Sequence, residues 1–207
     1  VPHEPYKTAL LMGAPGAGKG TQGAILHTIP GFHHFSMGDA FRGLDPASDL
    51  GRQVKTYSSR GELVPDDITV QLLEKSLVDR IGADAYHPDA DLLILDGFPR
   101  NPNQVRLLDG KVDVVRIVHL QCDQPDALIA RLRKRALQQN RADDAKEEVI
   151  RRRLEIYAAE TQPVIDMYPP AIVDTIDPIG APAEVLRRVL ESLASLQAGL
   201  FGNVLAG

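Results

Sequence analysis

A chain of 207 residues has room for one substantial domain with at most a small insertion. Its formal charge of -5 at pH 7 gives no bulk reason to bind nucleic acid or an anionic membrane, and no apolar run approaches the ~18 residues of a membrane span. The single cysteine, Cys122, rules out an internal disulfide and a four-cysteine zinc site, and Val1 to Pro5 has neither the basic nor the apolar region of a signal peptide; a monomer in a reducing, cytoplasmic setting is expected.

In chain order, residues 6–12 read as a short, mostly apolar first strand. The loop Gly13-Ala14-Pro15-Gly16-Ala17-Gly18 leads into a helix from Lys19 to about Ile29, stopped by Pro30-Gly31. Phe32 to Ser36 is a candidate second strand, and Gly38 opens a helix that the Gly43–Pro46 stretch interrupts. Leu50 to Ser59 is a polar helix closed by Arg60-Gly61, followed by an extended segment from Glu62 to Asp67. From Asp67, the positions Val70, Leu73, Leu77 and Ile81 fall at helical spacing. Leu92 to Leu95 is a compact strand that stops at Asp96, and a helix should cover Pro102 to Leu108. Val112 to Leu120 is the longest strand-like run, with Cys122 expected as a core residue of that strand. Helices are expected at Pro125 to Arg135, Asp144 to about Ala159, Pro163 to Met167 and Ala183 to Leu196, with a last strand at Ala171 to Thr175. Alternating strands and helices predict an α/β layer fold on a mainly parallel sheet, which binds ligands at the carboxyl ends of its strands. The chain is shorter than the ~250 residues typical of a TIM barrel.

The stretch from Gly13 to Thr21 holds four glycines in eight residues, then a hydroxyl, with Lys19 among them. Walker A requires Gly-x-x-x-x-Gly-Lys and then Ser or Thr; Gly13, Gly18 and Lys19 fit, Gly20 takes the hydroxyl slot and Thr21 follows. Glycines let the backbone turn tightly, so that successive N–H groups and a helix N-terminus can face an anion. Asp96, at a strand end on the same rim, is placed to organise Mg²⁺ directly or through water, with Thr21 as a second candidate. Between positions 131 and 153 stand Arg131, Arg133, Lys134, Arg135, Arg141, Lys146, Arg151, Arg152 and Arg153, nine of the 23 basic residues of an acidic chain. Arg133, Lys134 and Arg151 read as a solvated, salt-bridged surface, but such a crowd calls for an anion, and the arginine fork suits phosphoryl oxygens. The six histidines have no metal-ligand spacing, and the adjacent His33 and His34 should face opposite sides of a strand.

These motifs together resemble the adenylate kinase family of nucleoside monophosphate kinases over nearly the whole chain. Gly13 to Gln22 is similar to its phosphate loop, glycine at position 20 included. Phe35-Ser36-Met37-Gly38-Asp39-Ala40-Phe41-Arg42 resembles the start of its monophosphate-binding region, and Gly61-Glu62-Leu63-Val64-Pro65-Asp66 the segment beside the acceptor base. Asp96-Gly97-Phe98-Pro99-Arg100 with Gln104 resembles its most diagnostic stretch. Arg131 and Arg135 match the lid's leading edge, Arg141-Ala142-Asp143-Asp144 its closing motif, and Arg153-Leu154 with Tyr157 the next helix.

The resemblance implies a P-loop fold with a five-stranded parallel sheet flanked by helices. The core would be residues 1–35, 67–134 and 145–207, with a helical monophosphate-binding region at 36–66 and a short lid at 135–144. It implies that Gly13 to Thr21, Arg131 and Arg135 hold ATP. Ser36, Met37, Arg42, Glu62, Leu63, Val64, Gly97, Arg100, Gln104, Arg141 and Arg153 would hold the acceptor and the transferring phosphoryl group. Lys19, Arg100, Arg135, Arg141 and Arg153 would be catalytic. Met37 stands where the family's adenylate kinases usually carry threonine, and Asn101 is more like the pyrimidine enzymes, whereas Gln104 points to adenine. Arg141 to Arg153 is one residue longer than the common interval, so Arg152 competes with Arg153, although the leucine that follows favours Arg153. Transfer from MgATP to AMP leads; transfer to UMP or CMP by the same mechanism, and a regulatory nucleotide-binding protein, are the alternatives. The last has no use for Arg42 and Arg100.

Overall fold

The computed structural model describes residues 4–139 and 146–201. Five parallel strands, β1 (Tyr6–Gly13), β2 (Phe32–Ser36), β3 (Leu92–Asp96), β4 (Val112–Leu120) and β5 (Val173–Ile176), form one sheet in the order β2-β3-β1-β4-β5. The first strand of the chain is therefore central. Its register sets Leu11 beside Asp96 of β3 and Gly13 beside Leu120 of β4, so the ends of three strands meet on one rim. Among the described residues the helices are α1 (Lys19–Leu26), α2 (Met37–Arg42), α3 (Asp49–Ser58), α4 (Asp66–Gly82), α5 (Pro102–Leu107), α6 (Pro125–Gln139), α7 (Glu147–Ile156) and α8 (Pro182–Phe201).

Both sheet faces are buried, and the two-residue period of each strand divides its side chains between two cores. Leu10, Met12, Phe35, Leu93, Leu95 and Ile117 point to one side, where Val70, Leu73 and Leu77 of α4 cover them. Ala9, Leu11, Phe32, Leu92, Ile94 and Leu120 point to the other, under Leu26 of α1, Leu128 of α6 and Val185, Val189 and Leu193 of α8. The expected spacing of Val70, Leu73 and Leu77 is thus the buried stripe of α4, whereas Ile81, at the same spacing, is exposed near its end.

Several ends differ from the sequence expectations. The α1 helix stops at Leu26, short of Ile29, and the chain reaches Pro30 through tight turns. The α6 helix continues to Gln139, and α8 runs on to Phe201 because that ring packs against the second core. The chain expected as a single helix to Ala159 leaves the α-helical pattern at Tyr157 and makes a π-helical turn, Tyr157–Thr161, followed by a 3-10 helix, Gln162–Met167. A 3-10 turn at Pro170–Ile172 delays the last strand to Val173. Cys122 is not in a strand: β4 ends at Leu120, and Cys122 lies half-buried two residues on, against the edge of the second core.

His33 and His34 do face opposite ways. The His34 ring occupies the space left by the missing side chain of Gly23 on α1. His33 packs on Tyr86, with ring centroids 4.6 Å apart, and Arg80 Nη1 of α4 donates to its Nε2 at 2.9 Å. An arginine only donates, so His33 is the neutral tautomer with its proton on Nδ1. Burial, reinforced by the Arg80 charge, pushes its pKa down to about 4. A base held neutral in this way stabilises the fold above its ordinary pKa, near 6.5, and that contribution is lost as pH falls toward 4, because the unfolded chain binds the proton first. His33→Gln, whose amide oxygen can still accept from Arg80, is therefore expected to lose less stability than the wild type between about pH 7 and about pH 4.5. The difference should be on the order of 2 kcal/mol in denaturant titrations; parallel losses in the two proteins would remove His33 from the account.

Candidate active site

The rim where β1 and β3 end opens into a cavity of about 810 Å³. The loop between β1 and α1 forms its floor. Gly16 has φ +86°, and a β-carbon there would lie 2.8 Å from the Leu128 carbonyl of α6, so both conformation and space demand glycine. Gly18 caps α1 with φ 99° in open space, so only its backbone conformation requires glycine. Gly20 is different. It lacks a positive φ, and a β-carbon there would make ordinary contact with Asp96 Oδ2 at 3.8 Å, which shows how near the loop lies to β3.

Lys19, at the start of α1, folds back over the loop, and its Nζ donates to Gly13 O at 2.6 Å and Ala14 O at 3.2 Å. Burial pushes its pKa down to about 8; Asp96 works against that, while Arg100, Arg153 and Arg135 add to it. Arg100 is likewise lowered to about 10, by burial first and then by Arg153, with Asp96 opposing and Arg42 contributing. Side chains from separate elements thus feel one another across a shared space. Among the described residues, the cavity is lined by seven cationic side chains, Lys19, Arg42, Arg100, Arg131, Lys134, Arg135 and Arg153, against two carboxylates, Asp39 and Asp96. That imbalance, in a chain with net negative charge, suits a polyanionic ligand.

The individual placements follow from local structure. Asp96 is 6% exposed at the end of β3, its Oδ2 3.5 Å from His34 Nε2. Ser36 caps α2 by accepting from Asp39 N, and Arg42, at the end of that helix, pairs with Asp39 at 2.5 Å. The Arg100 main chain is held on both sides: its N–H donates to Gln104 Oε1 at 2.6 Å, and its carbonyl accepts from Thr161 Oγ1 at 2.9 Å. Its Nε also donates to Gly97 O at 2.7 Å. Arg131 Nη2 donates to Pro178 O at 3.1 Å, with Arg135 one turn further along α6.

The structure brings Gly13, Pro15–Thr21, Ser36, Arg42, Leu63, Asp96, Gly97, Arg100, Arg131, Arg135 and Arg153 to the one cavity. Ala14, Met37, Glu62, Val64 and Gln104 do not line it. Met37 is 1% exposed in the first core, and Gln104 is 2% exposed behind the Arg100 turn. Arg153 faces the cavity, whereas Arg152 pairs with Glu155 on the outer surface. Arg133 and Arg151 both pair with Glu147, as a solvated surface should, but Lys134 reaches the cavity, contrary to expectation. Arg141 and the rest of the segment 140–145 lie outside the described residues.

Sequence reasoning gave no role to His119 or Thr161, and named Asp66 only as the end of the segment that resembles the stretch beside the acceptor base. His119 Nε2 lies 3.0 Å from the hydroxyl of Tyr157, which lines the cavity. Burial, then the Lys19 charge, lowers the imidazole pKa, and burial raises that of Tyr157 to about 12. A single imidazole at the end of a valine-rich strand was the available signal. Asp66, at the start of α4, accepts from Asn101 Nδ2 at 2.9 Å, Asn103 Nδ2 at 2.7 Å and Gln104 Nε2 at 2.8 Å. Burial opposes its charge, but the three amides outweigh that and hold the carboxyl below its usual range.

Among the described residues Lys19 is the only lysine whose ammonium bonds to the loop backbone, and Lys19→Ala is expected to cut turnover at least ~100-fold, the weight of a donor aimed at transition-state charge. Single-turnover rates at saturating nucleotide check this, and a near-wild-type rate would remove Lys19 from the chemistry.

Comparison with known proteins agrees with this geometry. The family model described as adenylate kinase matches residues 11–172. A Thermobifida fusca protein named adenylate kinase is 38% identical over 195 residues, covering 90% of this chain and 97% of the relative. A Leifsonia xyli adenylate kinase is 37% identical, covering 89% and 92%, and one from Thermus thermophilus is 33% identical, covering 90% and 97%. With a loop for one polyphosphate and a second set of arginines facing it across a single cavity, this chain belongs to the adenylate kinase family.

Proposed function

We propose that the chain catalyses reversible transfer of the γ-phosphoryl group of ATP to AMP, giving two ADP, by direct in-line displacement. The observation that carries this is the pairing of the loop and Lys19 with Arg42 and Arg100, cations that line the same cavity from other elements and that a hydrolase would not need. The acceptor is itself a phosphate anion, so no side chain has to remove a proton; positioning and charge neutralisation suffice. In this reading Gly13 to Thr21 hold the donor's β- and γ-phosphates, and Arg131 and Arg135 its outer side. Arg42 and Arg100 hold the acceptor phosphate. Lys19, Arg135 and Arg153 gather on the phosphoryl group in flight; Arg141, outside the described residues, is assigned to the same group by the motif it belongs to. Ser36, Leu63 and Gly97 line the cavity on the acceptor side, and in this reading Met37, Glu62, Val64 and Gln104, which do not line it, back that wall, with the Gln104 amide meeting the acceptor base from behind the Arg100 turn. Residues 36–66 close over the acceptor side and exclude water; the lid expected at 135–144 runs beyond the described residues, which end at 139 before resuming at 146.

The donor set fits Mg²⁺ bound chiefly through nucleotide oxygens and water. Among the described residues no three His, Cys, Asp or Glu side chains gather into a protein-only metal cage. A magnesium ion carried by phosphates needs only a carboxylate beside the loop, and Asp96 is that carboxylate, with the Thr21 hydroxyl also on the cavity wall. When bound, the ion would neutralise charge on the donor phosphates. Asp96 would orient it, and His34 at 3.5 Å limits where the carboxylate can swing.

No helix among the described residues is long and apolar enough to cross a membrane. A cytoplasmic monomer acting on free nucleotides is the corresponding proposal. In a coupled assay with ATP and a panel of AMP, dAMP, CMP, UMP and GMP, AMP is expected to give the highest kcat/KM. A pyrimidine monophosphate in first place would refute the AMP assignment while leaving the chemistry, and no transfer to any acceptor would refute both.

A further inference from the structure

The amide of Gln104 is fixed in one sense by groups that cannot exchange roles. The backbone N–H of Arg100 can only donate, so the atom it meets at 2.6 Å is Oε1; the ionised Asp66 can only accept, so the atom it meets at 2.8 Å is Nε2. Rotating the amide by half a turn would set an NH₂ against an N–H and a carbonyl against a carboxylate, two repulsive contacts in place of two hydrogen bonds. Asp66 does not swing to relieve this, because Asn101 and Asn103 hold it from the α5 side. Asn101 is in turn fixed, since its Oδ1 accepts from Gln104 N at 2.8 Å as the cap of α5. Each amide atom of Gln104 keeps one further valence, an N–H on nitrogen and a lone pair on oxygen.

We propose that Asp66 is a specificity-positioning residue: by locking Gln104 in one sense, it restricts the acceptor base to those that pair a ring-nitrogen acceptor with an exocyclic amino donor. This rests on the reading above in which Gln104 meets the acceptor base. Adenine offers N1 as acceptor and the 6-amino group as donor, the complement of the locked amide. Hypoxanthine, with the same ring system and size, offers N1–H and a 6-oxo group, so both contacts become like against like. Guanine and uracil share that reversed sense. A rejected base leaves buried polar groups unpaired, which is how hydrogen-bonding sites discriminate strongly. The carboxylate never touches substrate; it acts by denying the amide its flip.

The test compares AMP with IMP, which differ only at this edge, in the wild type, Asp66→Ala and Gln104→Leu, reading kcat/KM for each acceptor on a single preparation of each protein. The ratio does not depend on the fraction of that preparation that is folded, so loss of the α4 start in Asp66→Ala does not blur it. Asp66→Ala is expected to narrow the AMP/IMP ratio by ~10-fold or more, with the rate for IMP rising relative to AMP and KM for ATP unchanged. Gln104→Leu should narrow it as well. If Gln104→Leu narrows the ratio and Asp66→Ala leaves it at the wild-type value, the lock is wrong and the base-reading role of Gln104 stands. An unchanged ratio in Gln104→Leu overturns the base-reading role and the lock with it.

Discussion

Crowded positive charge around one cavity is the constraint on which the rest of this structure depends. Lys19 and Arg100 are taken out of water and placed near Arg153, Arg135 and Arg42, and their lowered pKa values record the cost. Asp96 offsets part of it. A fold tolerates such an arrangement when an anion completes it, and a site built this way is complementary to spread phosphoryl charge. The sheet makes the crowding possible: β1 lies between β3 and β4, so the phosphate loop and Asp96 come to one rim from strands far apart in sequence. The two apolar cores on either side of the sheet hold that rim rigid.

Around this rim the supporting contacts are mainly backbone bonds from polar side chains. Thr161 holds the Arg100 carbonyl, Gln104 holds its N–H, and Arg131 is tied to the Pro178 carbonyl. The first two contacts link the chain after β3 to the π-helical turn and to α5, and the third links α6 to the loop after β5. The Arg100 main chain is therefore held by α5 on one side and by the π-helical turn, 61 residues on, on the other.

The strands, their order of appearance and most helices were legible because each carries its own period of buried residues, as in β3 and α4. The phosphate loop was legible for another reason: its glycines and lysine act locally, within nine residues. What escaped was set by contacts across the fold. Lys134 and Arg133 are neighbours on one polar helix, and only the position of α6 over the cavity separates their fates. Met37 reads as a base contact from its place in a motif, but the core beneath β2 claims its side chain. The amide cage of Asp66 joins residues 35 to 38 positions apart, and neither end announces the other. Between Arg152 and Arg153 the following leucine already favoured Arg153, and the orientation of α7 agrees, with Arg153 on the cavity and Arg152 paired with Glu155.

The π-helical turn between Tyr157 and Thr161 bears on the geometry of the cavity wall. Arg153, Tyr157 and Thr161 all line it, at intervals of four residues. On a regular α-helix each such step drifts around the axis by roughly 40°, so the third residue would turn away from the first two. The wider turn takes up the second step, and Thr161 returns to the face from which it reaches the Arg100 carbonyl. The cavity-lining Arg153 and the Thr161 anchor of Arg100 are thereby carried on one continuous stretch of backbone. Arg153 and Arg100 are thus joined through the chain itself, by way of Thr161, as well as across the cavity.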